Sequence, residues 1–239
     1  MSGGALVGID GDDTLWHSEI HFELTQRRVH ELIASWVDVE DFDARLLATE
    51  RRNLELFGYG VKGFALSTIE TVIELTEGRI PAAELGRIID FAKEMLAHPI
   101  ELLDGVADGL AQLGAEYRLV LVTKGDLFHQ ETKVAASGLA DHFDSVEIVA
   151  EKDVATYRRI LARYDVAPGR FVMVGNTLRS DVLPVVELGG RAVHVPYHIT
   201  WDVEHGEIPD EVRDRVATAD GFGQVPAAVA ALVANGAVR

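Results

Sequence analysis

The chain has 239 residues, 48% of them apolar, no cysteine, and a formal net charge of −17 at pH 7. This length and apolar content fit one large domain, or a core with a smaller companion, and exclude a disordered chain. The lack of cysteine excludes disulfides, thiol catalysis and thiolate-bound metals. The acidic balance argues against nucleic acid or an anionic membrane as partner, though a locally positive site could still take a small phosphate ester.

The N-terminus leads into the first strand with no basic segment ahead of it. No apolar run approaches the ~20 residues of a membrane span. The sequence therefore reads as a soluble, cytoplasmic protein without a signal peptide. The apolar run 5–9 stops at Asp10-Gly11-Asp12-Asp13-Thr14. Such a run reads as a buried strand of a parallel sheet, with its acids at the C-terminal end, where open α/β sheets bind ligands. Three carboxylates this close repel one another unless a cation lies among them.

After Leu15 the period becomes helical. Ile20, Leu24, Val29, Leu32, Ile33 and Trp36 mark a first amphipathic helix. Phe42, Leu46, Leu47, Leu54 and Phe57 mark a second that stops at Gly58-Tyr59-Gly60. Phe64, Ile69, Val72, Ile73 and Leu75 form a third, ending near Gly78. Pro81 opens a fourth that His98-Pro99 ends. Strand and helix then alternate: strands over 119–122, 146–149, 171–174 and 192–195, helices between them, and two helices near 209–217 and 225–235 in the tail. The pattern predicts an α/β fold, a Rossmann-like parallel sheet with helices on both faces and a small four-helix bundle inserted after the first strand. Residues 1–16 and 100–239 would form the core and residues 17–99 the insertion.

Polar groups follow four of the strands: Asp10 and Asp12; Thr123 with Lys124; Lys152; and Asn176 with Asp181. In a parallel sheet these ends share one edge, so the residues can converge. Carboxylates suit Mg²⁺, a hard cation that takes oxygen ligands. The hydroxyl and ammonium suit the oxygens of a phosphoryl group.

The four clusters, in this order, resemble the motifs of the haloacid dehalogenase superfamily, and in particular its phosphatases. D-x-D-x-T is Asp10 to Thr14, the second motif is Thr123, the third is Lys152, and the fourth is Gly175-Asn176-Thr177-Leu178-Arg179-Ser180-Asp181. The helical insertion is similar to the family's α-helical cap. The resemblance implies a Mg²⁺-dependent phosphomonoester hydrolase acting on a small phosphorylated metabolite. Asp10 would be the nucleophile, forming an aspartyl-phosphate, and Asp12 the general acid and base, helped by a raised pKa. Thr123 and Lys152 would hold the phosphoryl group, with backbone donors from Gly11, Asp12 and Lys124. Asp10, the Asp12 carbonyl and Asp181 would hold Mg²⁺. Asn176 stands where the family usually has Asp, a neutral and weaker ligand, and Asp153 stands where a Pro usually follows the Lys. The alternatives are another reaction of the family, phosphomutase or dehalogenase, or a non-catalytic binding protein on the same scaffold.

Other polar residues read as structural. Lys133, in a helix, is expected on the solvated face, and only the backbone of Lys124 is credited with a role. Asp153 can cap the helix that follows it, and so can Asn176. His17 with His21, and His194 with His198, lack a third metal ligand. Arg51 and Arg52 read as a solvated face, and Trp16, Phe57 and Tyr59 as packing. Asp13 has no assigned chemistry.

Overall fold

The computed structural model describes residues 4–236. The chain divides into two compact units, one from the N-terminus to Glu19 together with Ile100 onward, the other Ile20–Pro99.

The larger unit is built on a six-stranded parallel sheet in the order β3-β2-β1-β4-β5-β6. Its strands are β1 (Leu6–Ile9), β2 (Arg118–Lys124), β3 (Ser145–Val149), β4 (Phe171–Gly175), β5 (Arg191–His194) and β6 (Val216–Thr218). The central β1 pairs on one side through Val7↔Leu119 and on the other through Val7↔Val172. Because every strand is parallel, all C-terminal ends lie along one edge. The order reverses about β1, and crevices form at such a point, between β1 and β4.

Strand period decides the two faces. Val7, Ile9, Leu119, Leu121, Val172 and Val174 pack with Leu110 and Leu113 of helix α5 (Val106–Glu116) and with Val225, Val229 and Leu232 of α9 (Val225–Gly236). Leu6, Val120, Val122, Phe171 and Met173 pack with Tyr157, Ile160 and Leu161 of α7 (Val154–Tyr164) and Val185 of α8 (Leu183–Glu187). Each such side chain, once buried, stabilises the fold by about 1.5–3 kcal/mol. Beyond β2 lies α6 (Leu127–Ser137), opened by Asp126, which accepts from the His129 N–H at 3.0 Å, and closed by Gly138 in the left-handed region at φ 71°. Asp153 caps α7 as expected, accepting from Thr156 N–H at 2.7 Å.

The smaller unit contains α1 (Glu19–Ile33, whose first residue belongs to the larger unit), α2 (Val39–Phe57), α3 (Val61–Leu75) and α4 (Ala82–Leu96). Val29, Ile33, Phe42, Leu46, Phe64, Val72, Ile88 and Phe91 form its apolar core. Leu24 and Phe57, expected on the buried stripes, are nearly half exposed, at 47% and 46%. Trp36 lies beyond α1, in a turn where its N–H donates to Ile33 O at 2.7 Å. No helix among the described residues is long and apolar enough to cross a membrane.

The tail differs from the expectation. Residues 209–217 are not an α-helix but a 3₁₀ helix, Asp210–Arg215, followed by β6. β6 pairs with β5 through Ala192↔Val216 and His194↔Thr218. A three-residue edge strand carries almost no period of its own, and its conformation comes from a non-local partner.

Candidate active site

The loop after β1 is held first by its own chain. The Asp10 N–H donates to Val174 O across the sheet at 2.9 Å, and the Leu15 N–H to Gly11 O at 2.8 Å. A Cβ at Gly11 would lie 2.8 Å from the Trp16 ring, so only glycine lets that ring pack beneath the turn. Asp13 takes a left-handed conformation, φ 59°. Its carboxylate accepts from Ser18 N–H at 2.8 Å and Glu19 N–H at 3.0 Å, which ties the loop to the start of α1. This is the role of the acid that had no assigned chemistry.

Asp10 is buried beside Lys152, whose Nζ donates to Asp10 Oδ1 at 2.5 Å and to Asp181 Oδ1 at 2.7 Å. Burial pushes the Asp10 carboxyl up to about 7 against the pull of the Lys152 charge. Burial acts to lower the Lys152 ammonium, but the charges of Asp10 and Asp181 outweigh it and hold the group above its usual value. The structure thus brings Asp10, Lys152 and Asp181, from the ends of three separate motifs, into one contact set. Thr123 ends up inside β2 rather than after it, with its hydroxyl oriented to Gly11: a Cβ there would lie 3.3 Å from Thr123 Oγ1. This hydroxyl is 1% exposed by residue and has no hydrogen-bond partner among the described residues.

The Asn176 amide sits against Asp10 Oδ2 and the Asp12 backbone carbonyl; oriented to satisfy these two acceptors, its nitrogen donates to them at 3.1 Å and 3.3 Å. The backbone carbonyl of Asn176 pairs with His194 Nε2 at 3.0 Å. Asp181 is engaged differently: besides Lys152, it accepts from Thr177 N–H at 3.0 Å and Thr177 Oγ1 at 2.9 Å. The amide faces the oxygens of Asp10 and Asp12, while Asp181 is occupied in orienting Lys152 and the fourth-motif turn.

Among the described residues no three His or acidic side chains form a ready-made metal cage. The donor set is a mixed one, the Asp10 carboxylate and Asp12 carbonyl converging on the point that the Asn176 amide faces, with Asp181 one ammonium away. The Asp10 carboxylate, the Asp12 carbonyl and Asp181 offer oxygen, the donor type that Mg²⁺ takes. Three carboxylates, Asp10, Asp12 and Asp181, stand against the ammoniums of Lys152 and Lys133. The site's chemistry therefore fits a hard divalent cation.

Two expectations are overturned at Asp12. Lys133 is not on the solvated face: it is 8% exposed, and its Nζ donates to Asp12 Oδ1 at 2.5 Å. Trp16 Nε1 donates to the same oxygen at 2.6 Å, and Gln130 Nε2 donates to Asp12 Oδ2 at 2.9 Å. Burial would raise the Asp12 carboxyl, but the Lys133 charge and these three donors outweigh it and hold the group below its ordinary value, not above it. One signal of this was available in the sequence. Gln130 lies one turn before the inward-facing Val134 and Lys133 next to it on α6, so that the helix carries polar residues where its buried stripe should be.

Lys124 is also more than a backbone donor. Its ammonium donates to Ser180 Oγ at 2.7 Å and pairs with the buried Glu204, which also accepts from Ser180 Oγ at 2.6 Å. Tyr157 OH donates to Ser180 O at 3.0 Å. His17 shares a hydrogen bond with Tyr197 OH at 2.7 Å, and the His21 and His98 rings lie 4.0 Å apart, tilted by 39°.

The profile of the haloacid dehalogenase-like hydrolases matches residues 5–189. Mouse N-acylneuraminate-9-phosphatase is 31% identical over 119 residues, 48% of this chain and 45% of that protein, so the match spans about half the length of this curated relative. A haloacid dehalogenase-like family hydrolase from Xanthomonas campestris, known from its crystal structure, is 44% identical, with a TM-score of 0.88 over 98% of this chain and 94% of that one. A hydrolase of the same type from Bacillus subtilis, solved bound to magnesium, is 14% identical and shares the fold, with a TM-score of 0.65 over 95% of this chain and 98% of that one. With four strand-end motifs gathered at one sheet edge and a family profile spanning most of its length, the chain belongs to the haloacid dehalogenase-like hydrolases.

Proposed function

We propose that this protein is a Mg²⁺-dependent phosphomonoesterase that acts on a small phosphorylated metabolite through an aspartyl-phosphate. The observation that carries the reading is the Thr123 hydroxyl, buried against Gly11 of the Asp10 loop and left without a partner among the described residues. A buried polar group left unpaired costs about 1–3 kcal/mol. A phosphoryl oxygen seated at the loop would accept its hydrogen bond. The Lys152 ammonium beside Asp10 supports the same placement.

In this reading the Asp10 carboxylate attacks phosphorus and the ester P–O bond breaks. Lys152 and Thr123 stabilise charge on the phosphoryl oxygens. Asp12, held anionic by Lys133, Gln130 and Trp16, takes a proton from the water that attacks the aspartyl-phosphate; the acyl-phosphate P–O bond breaks, phosphate leaves and the Asp10 carboxylate is restored. The proton so gained is the one that Asp12 gives to the leaving alkoxide of the next ester. Mg²⁺, held by the Asp10 carboxylate, the Asp12 carbonyl and Asn176 or Asp181, would offset the repulsion between nucleophile and phosphate. The Lys124 side chain, neutralised by Glu204, contributes structure, and its backbone N–H lies at the loop end of β2.

The test is phosphate release by the purified chain with Mg²⁺ from p-nitrophenyl phosphate and a panel of phosphorylated metabolites. The name of the mouse relative puts N-acylneuraminate 9-phosphate in that panel. Turnover of at least one ester is expected. Asp10→Asn should lower kcat by a factor on the order of 10³ or more, as loss of a covalent nucleophile does, with the fold retained by far-UV circular dichroism. No phosphate from any ester would overturn the reading.

A further inference from the structure

Helix α6 presents two buried polar side chains, Gln130 and Lys133, one turn apart, to the loop after β1. Neither has a part in holding phosphate or metal in the function proposed above. Together with Trp16 they engage both oxygens of one carboxylate: Asp12 Oδ1 receives Trp16 Nε1–H at 2.6 Å and Lys133 Nζ at 2.5 Å, and Oδ2 receives Gln130 Nε2 at 2.9 Å. The Gln130 amide also donates to Lys124 O at 2.8 Å, which anchors it to the end of β2, while its Oε1 is buried without a partner among the described residues. The amide is thus oriented for its donors at the expense of its acceptor. A buried ammonium on the inward side of a helix is costly to desolvate, and an apolar residue of similar volume would pack there at no such cost. The donors come from two separate elements and converge on one side chain.

We propose that Trp16, Gln130 and Lys133 form a clamp that fixes the Asp12 carboxylate in one orientation, making Lys133 and Gln130 positioning residues for proton transfer to and from the ester oxygen. The inference rests on the phosphomonoesterase reading and adds to it a second lysine outside the four motifs.

The dependence on leaving group tests it. p-Nitrophenolate departs with little need of a proton, whereas an alkoxide needs one in the transition state. Lys133→Met should lower kcat on the order of tenfold or more for an alkyl phosphate that the wild type hydrolyses, and less than about threefold for p-nitrophenyl phosphate, with KM nearly unchanged for both. Gln130→Leu should show the same pattern in smaller measure, and it serves if Lys133→Met does not fold. In an Asp12→Asn background, Lys133→Met should lower kcat no further, since both changes act on one carboxylate. Equal losses on the two esters, a raised KM on both, or losses that add to those of Asp12→Asn would overturn the clamp while leaving the phosphatase reading intact. A wild type inactive on every ester would overturn the reading and the clamp with it.

Discussion

At the scale of single residues, the acids of the first loop have separate fates that their spacing does not predict. Asp10 and Asp13 are raised, to about 7 and about 8, by burial first of all, and Asp12 is lowered by its donors. A carboxyl raised above its ordinary 3.8 binds its proton more tightly in the folded state. The stability this contributes is complete below about pH 4 and is lost as pH rises through about 8. Asp13 can be isolated for measurement, because its partners are the backbone N–H groups of Ser18 and Glu19. Asp13→Asn keeps an acceptor and removes the buried charge. Urea unfolding should show a shallower decline in stability between pH 5 and pH 8 than in the wild type, and an unchanged decline would contradict the assignment. Asp13→Ala, which also removes the acceptor, should lose about 1 kcal/mol at pH 5, the usual net worth of an intramolecular hydrogen bond.

At the scale of elements, the fourth-motif turn is the most constrained part of the site. β4 ends at Gly175, and one π-helical turn, Leu178–Val182, precedes α8. Such turns widen a helix locally and often mark functional positions. Here the turn carries Asp181 back over the strand end, where a Cβ on Gly175 would fall 2.2 Å from Asp181 Cγ. Tail residues brace the same turn: Arg179 donates to Val203 O at 2.7 Å, and Ser180 donates to Glu204. Gly175→Ala must therefore displace the Asp181 carboxylate that orients Lys152. The variant should lose about 1–3 kcal/mol of stability, as overpacked sites do, together with most of the proposed phosphatase activity. A urea midpoint equal to that of the wild type would show that the contact is not tight in solution.

At the scale of the whole molecule, a net charge of −17 opposes compaction, and the acids gathered at the sheet edge concentrate that repulsion. A cation that binds only the folded state stabilises it by mass action, and Asp10 must be ionised to serve as ligand. Mg²⁺ should therefore raise Tm, more at pH 8 than at pH 5.5, and more than NaCl at equal ionic strength. Asn176→Asp, which places an anion where the amide now faces Asp10 and the Asp12 carbonyl, should enlarge the increment. Equal Tm shifts from Mg²⁺ and NaCl at both pH values would argue against the ion at this site.

The sequence by itself determined the class of fold, the helical insertion after the first strand, five of the six strands, and the four motifs in order. These rest on local signals: apolar period, turn residues, and acids that follow a strand. The tertiary structure alone decided which groups face one another. Asp10 meets Lys152 across 142 residues and Asp12 meets Lys133 across 121, and no local pattern records such a pairing. For the same reason a lysine assigned to solvent proved buried, a carboxyl expected to be raised is lowered, and residues 216–218 became a strand only because β5 offers them an edge. Backbone conformation follows largely from neighbours in the chain. The charge state and orientation of a site residue follow from neighbours in space, and these exist only once the sheet has brought its strand ends together.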